Sequence, residues 1–167
     1  MDSTDQVEFL AHHLLGSRVT GLGRANIVDA DQAIPILQSF VFVLDGRSVL
    51  LRYGQQGLSC GASGELGDLW PEEDLEDEER VEFVALGSEV DTLELPARII
   101  KIVGTVGIGK YDDVLSLSFY GDGGGVLTLS TAEDLLSLTS VEAADRLART
   151  AAANQGMNIE VVTCDVS

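Results

Sequence analysis

A chain of 167 residues with 45% apolar side chains can bury a real core and reads as one domain, 1–167. No window is long and apolar enough for a membrane-spanning helix, and two isolated cysteines with two adjacent histidines cannot supply the four ligands of a structural zinc site. Against 10 basic residues stand 28 acidic ones, a formal charge of −18, which repels nucleic acid and anionic lipid and favours a basic partner or simple solubility.

The opening stretch, "MDSTDQVEFLAHHLLG", begins with acids and has no basic flank before an apolar run. It does not read as a secretory leader, and the expected compartment is the cytoplasm. Residues 3–16 read as a helix: Ser3 and Gln6 match a capping box, Val7, Leu10, Leu14 and Leu15 form an apolar stripe, and Gly16 is the stop. His12 and His13 are adjacent on that helix, point about 100° apart, and cannot chelate one metal together.

Strand signals follow. "LGSRVTGL" (15–22) leads to "FVFVLDGRSVLLR" (40–52), where Asp45-Gly46 between apolar runs marks a hairpin. "SFVFVL" is apolar throughout and is expected to be covered on both faces. "GLSCG" (57–61) follows as a short strand. Next comes an acidic connector, 70–82, in which Trp70 and Pro71 precede Glu72, Glu73, Asp74, Glu76, Asp77, Glu78, Glu79 and Glu82. Pro71 could open a short helix there, and "VEFVAL" reads as the next strand.

"LPARIIKI" (95–102) is a buried-strand pattern, followed by the glycine-rich "VGTVGIGKYDD" (103–113). Gly104, Gly109 and Lys110 fit the spacing G-x-x-x-x-G-K of a phosphate loop. That loop requires Ser or Thr next and then a helix. Here Tyr111 follows, then two aspartates and a strand pattern, so the stretch reads as a flexible connector with Lys110 exposed. "VLSLSF" alternates apolar residues with serine, predicting one buried and one wet face. "LSFYGDGGGVLTL" (117–129) turns at Asp122-Gly123. Residues 140–156 read as a helix capped by Ser140 and ended by Gly156, with Val141, Ala144, Leu147, Ala148 and Ala151 inward. "MNIEVVTCDV" closes as a strand.

The segments 15–61 and 95–139 resemble each other. Leu15, Arg18 and Val19 match Leu95, Arg98 and Ile99 at an offset of 80, and Asp45-Gly46 matches Asp122-Gly123 at 77. The expected architecture is therefore α+β, a mostly antiparallel sheet built from two similar β-hairpin units, with an N-terminal and a C-terminal helix.

The chemistry is sparse. No Ser or Cys sits in a nucleophile motif beside a base. "DLEDEE" lacks the ligand spacing of a calcium loop. No cofactor and no metal is expected. Trp70 with the acids Glu72–Glu82 combines an aromatic anchor with dense charge, the makings of a site for a basic protein. The hairpins at 40–52 and 95–129 in an acidic α+β chain resemble small bacterial immunity-type proteins of toxin–immunity systems. That resemblance implies a non-enzymatic protein that binds and blocks a cognate toxin, often a basic nuclease. Two alternatives stay open: a DNA mimic, with carboxylates spread over a broad face, and a small ligand-binding or enzymatic β-sandwich. The latter would need a deep pocket where Asp112, Asp113, Tyr111 or His12 converge with a shifted titration. Open strand edges would also allow a homodimer.

Overall fold

The computed structural model describes residues 2–29, 32–54, 57–64, 70, 78–86 and 92–166. Helix α1 (Ser3–Leu14) leads into strands β1 (Arg18–Asp29), β2 (Gln32–Pro35), β3 (Ser39–Leu44), β4 (Arg47–Gly54), β5 (Gly57–Ser63) and β6 (Arg80–Ala85). Then come β7 (Ala97–Ile108), β8 (Asp113–Gly121), β9 (Val126–Ser130), a single 3-10 turn (Ala132–Asp134), β10 (Ser137–Thr139), α2 (Val141–Gln155) and β11 (Asn158–Asp165). The class is α+β, mostly antiparallel sheet with one helix near each terminus, and no described helix is long and apolar enough to cross a membrane.

The first helix starts one residue earlier than the capping box suggests. Asp2 has the extended backbone of a cap, and its carboxylate accepts the Asp5 N–H at 2.8 Å, while Ser3 is already helical and buried. Val7, Leu10, Ala11 and Leu14 form its buried face, and Gly16 turns the chain at φ +77°.

The long strands β1 and β7 meet at a short seam. Arg18 pairs with Arg98 and Val19 with Ala97. Gly16 N–H to Ile99 O (2.8 Å) and Ile99 N–H to Ser17 O (3.1 Å) extend it. From this seam β3, β4 and β5 continue on one side and β8, β9 and β10 on the other. The far half of β1 pairs with β6, and the far half of β7 with β11. The chain thus makes two wings, each a meander turning at Asp-Gly. In the first turn Gly46 takes φ +77°, a backbone that suits glycine.

The wings fold over a common core. Phe42 of one and Phe119 of the other lie 4.8 Å apart between ring centroids, tilted, and both are fully buried. Helix α1 supplies Val7, Leu10, Ala11 and Leu14 to the same core. It approaches β7 so closely that a Cβ on Gly104 would come within 2.7 Å of Val7 Cγ2. Arg24 ties the wings together: its guanidinium donates to the carbonyls of Leu37 (3.1 Å), Ser39 (2.9 Å) and, across the core, Leu136 (2.6 Å).

The outer faces differ from their sequence patterns in one wing. β3 is covered on both sides, as its apolar run predicts: Phe40 and Phe42 face the common core, while Val41 packs with Ala25, Leu50 and Trp70 outside. β8 is also buried on both sides, against the expectation of a wet serine face. Ser116 and Ser118 are under 10% exposed, and Ser118 Oγ bonds Thr128 Oγ1 at 2.9 Å. Helix α2 covers this face. Its cap is Ser140, accepting the Ala143 N–H at 3.1 Å, and Gly156 ends it with left-handed backbone. Its inner face, however, is Ala144, Ala148 and Ala152, and Val141 and Leu147 are exposed. Alanines let the helix sit directly on the small hydroxyl residues, whereas Leu147 would hold it off. Leu115, the extra residue of a bulge in β8 opposite Thr105–Val106, packs against Ala148 and Ala152.

Candidate functional site: a β-extension and an acidic cleft

Beyond Leu22, strand β1 leaves the body of the sheet flanked by two partners. β6 pairs with it from Gly23↔Ala85 to Val28↔Arg80, and β2 from Asn26↔Pro35 to Asp29↔Gln32. The register sets which side chains share a face. Phe83 lies opposite Ala25, and Val81, Ile27 and Ile34 form a row beside it. This continues the apolar face of Val41, Leu50 and Trp70. Ile34 is 56% exposed and Phe83 38%, and on the opposite face Val84 is 44% exposed. Phe83 lies over Gly23, where a Cβ would come within 2.4 Å of its ring. Carboxylates border these residues: Asp29, Glu78 and Glu82 are exposed, and Arg80 Nε bonds Glu82 Oε1 at 2.8 Å.

Of the residues expected to bind a partner, Trp70 is placed differently from an exposed anchor. It is 6% exposed and seals the outer apolar face, with the Arg52 guanidinium carbon 3.9 Å from its ring centroid. A large indole beside an uncovered apolar sheet face gains more from burial than from exposure. Glu78, Glu79 and Glu82 stand beside or on β6. Glu72, Glu73, Asp74, Glu76 and Asp77, and the short helix expected after Pro71, lie outside the described residues. Phe83 and Val84 were not singled out from sequence, because "VEFVAL" does not tell an edge strand from an inner one.

A second feature opens where the β4–β5 and β7–β8 ends meet the start of α1. The cleft measures about 740 Å³ and is lined by Asp2, Tyr53, Lys110, Tyr111, Asp113 and Asp134 among others. The Tyr53 hydroxyl donates to Asp113 Oδ2 at 2.5 Å, joining β4 to β8. Burial pushes the Asp113 carboxyl up and the nearby Asp134 charge adds to it, while bonds from Tyr53 and the Val114 backbone oppose the rise. Burial, then the bond to Asp113, also raises the Tyr53 phenol. Asp134 reaches the cleft from a turn in which Glu133 and Asp134 both have left-handed backbone. The glycine-rich stretch 103–113 is mostly strand: only 109–112 turn, joining β7 directly to β8, with no helix whose amides could hold a phosphate. Lys110 is exposed there.

The cleft gathers the carboxylates of Asp2, Asp112, Asp113 and Asp134 with the Lys110 ammonium and the Tyr53 and Tyr111 phenols. His12 and His13 do not line it. His13 packs edge-on to Phe9 with centroids 4.8 Å apart, and burial, then Arg47, lowers its pKa. Burial pushes the Cys60 thiol up to about 12, which leaves it unreactive. Among the described residues no three His, Cys, Asp or Glu side chains gather in a metal-binding arrangement. The chain matches no family model, no curated protein and no solved structure.

Proposed function

We propose that this chain is a non-enzymatic binding protein for a basic protein partner, acting in the cytoplasm as an immunity or inhibitor protein. The observation that carries the reading is the extension β6–β1–β2. It presents Ile34, Phe83 and Val84 beside Asp29, Glu78 and Glu82, an apolar centre with a charged rim. In the sequence the segment 72–82, which leads into β6, holds eight acids and one arginine, a formal −7. Charge of this density steers a basic partner into encounter and makes the on-rate depend on salt. The test is association kinetics with a basic protein captured from the source organism. Replacing Glu72, Glu73, Glu76 and Glu78 by lysine should slow association at least tenfold and flatten its salt dependence. Unchanged on-rates would overturn the reading.

The same reading takes the two wings as copies of one hairpin unit. Arg18 and Arg98, equivalent in the sequence match, pair with each other at the seam. β6 and β11 each pair antiparallel with the far half of a long strand, β1 and β7, an arrangement that fits the reading. Relatives should carry both Asp-Gly turns at the same separation.

The cleft favours a second reading, a site for a small organic cation. Asp113, Tyr111 and Asp112 converge there, and Asp113 is shifted. Titration with a diamine, followed by the Asp113 carboxyl resonance, separates it from the first. A saturating shift supports the cleft reading, and none removes it.

A further inference from the structure

The sheet has several free ends, and they are protected unequally. β10 is only three residues long. β2 has four residues and ends at Pro35, which has no N–H to offer. α1 packs on β5, and both helices pack on β11. β6 has six residues, pairs with β1 along one edge, and among the described residues pairs with no other strand. Its charges, Arg80 and Glu82, are tied to each other at 2.8 Å, leaving Phe83 and Val84 exposed on opposite faces. Stable proteins blunt such an edge, because a row of unpaired amides and carbonyls accepts another strand.

Resting on the basic-partner reading above, we infer that the outer edge of β6 is a docking strand: an extended segment of the partner, alternating apolar with Lys or Arg residues, adds beside Arg80–Ala85. Charge selects this occupant. Glu82 on β6, Glu78 just before it and Asp29 at the end of β1 are exposed, and the chain as a whole carries −18. A second copy of the chain would bring −18 against −18 and be repelled, and nucleic acid would be repelled likewise. An added strand places alternate side chains on the two faces. Apolar ones cover Phe83, and lysine stems cover Val84 while their ammonium groups reach the carboxylates.

The probe is a ten-residue peptide of alternating lysine and valine, titrated into the full chain at low salt by fluorescence anisotropy. Two further peptides carry N-methyl groups on every odd or every even residue, which blocks one backbone edge without changing charge. Strand addition predicts that one methylated peptide binds at least tenfold more weakly while the other binds within about threefold of the parent, and that amide exchange slows along 80–85. If both methylated peptides bind like the parent and all fall equally with salt, the contact is charge alone. Docking by strand addition is then overturned while the basic-partner reading stands. If no basic peptide binds at low salt, both are overturned.

Discussion

Trp70 lies over Val41, Leu50 and Ala25 and seals the outer face of the first wing with one large indole. On the second wing the corresponding face carries Ser116, Ser118, Thr128 and Ser130, and α2 seals it with Ala144, Ala148 and Ala152. Both faces are dry, by opposite means. The first relies on apolar area concentrated in one side chain. The second relies on closeness, since hydroxyls that bond one another can be buried if what covers them is small enough to leave no gap. An alternation of Leu and Ser therefore reports which residues share a face, and what packs on that face decides whether it is wet.

If the first wing depends on one side chain, removing it is the most damaging single change outside the common core. Trp70→Ala should cost about 4 kcal/mol in urea unfolding, the range for a buried Trp that leaves a cavity. The second wing should respond to bulk instead of loss. Ala148→Leu, at 1% exposure beneath the helix, should cost about 2 kcal/mol by forcing α2 away from the hydroxyl face. The contrast breaks if Ala148→Leu costs more than Trp70→Ala, or if Leu is accommodated without loss.

The same contrast explains what was legible in advance. The Asp-Gly turns, the Ser140 cap, the Gly156 stop and most strands are local features, and each is where the sequence places it. On α2 the expected Ala144 and Ala148 do face inward, but Val141 and Leu147 do not, because a hydroxyl surface selects alanine over the larger apolar residues. The Ser3–Gln6 spacing mimics a capping box, yet Asp2 can cap as well and does so. Whether Trp70 anchors a partner or plugs the sheet is not written in "LWPEED", because nothing there reveals an uncovered apolar face waiting for it. The cleft was legible in part: Tyr111, Asp112 and Asp113 are neighbours in the chain and line it together, while His12 does not. Its Tyr53 wall is not legible, because Tyr53 and Asp113 are 60 positions apart and only the folding of one wing over the other brings them together.

A smaller effect sharpens the hydroxyl side of the comparison. Ser118→Ala leaves Thr128 Oγ1 buried without its partner, at a cost of about 1 kcal/mol. Adding Thr128→Val removes the second hydroxyl at nearly constant shape and should recover most of that loss. A double variant no better than the single one would mean that the hydroxyls matter for something other than each other.

The smallest effect is read as a titration and tests the contact that bridges the wings at the cleft. Asp113 is raised in the folded chain, so folding favours its protonated form. Its contribution to stability is fully present below the ordinary carboxylate pKa of about 4 and is lost as pH rises through the folded value. The Tyr53 hydroxyl opposes that rise by donating to the ionised carboxylate, so Tyr53→Phe should push the Asp113 pKa higher still and move the loss of stability to higher pH. The carboxyl carbon resonance of Asp113, followed from pH 3 to 8, reads this directly. An unchanged midpoint would mean that burial alone sets the carboxyl and that the Tyr53 bond joins the two wings without tuning the cleft. Tyr53 itself is raised above 10, so its own ionisation reduces stability only in strong alkali and leaves this window undisturbed.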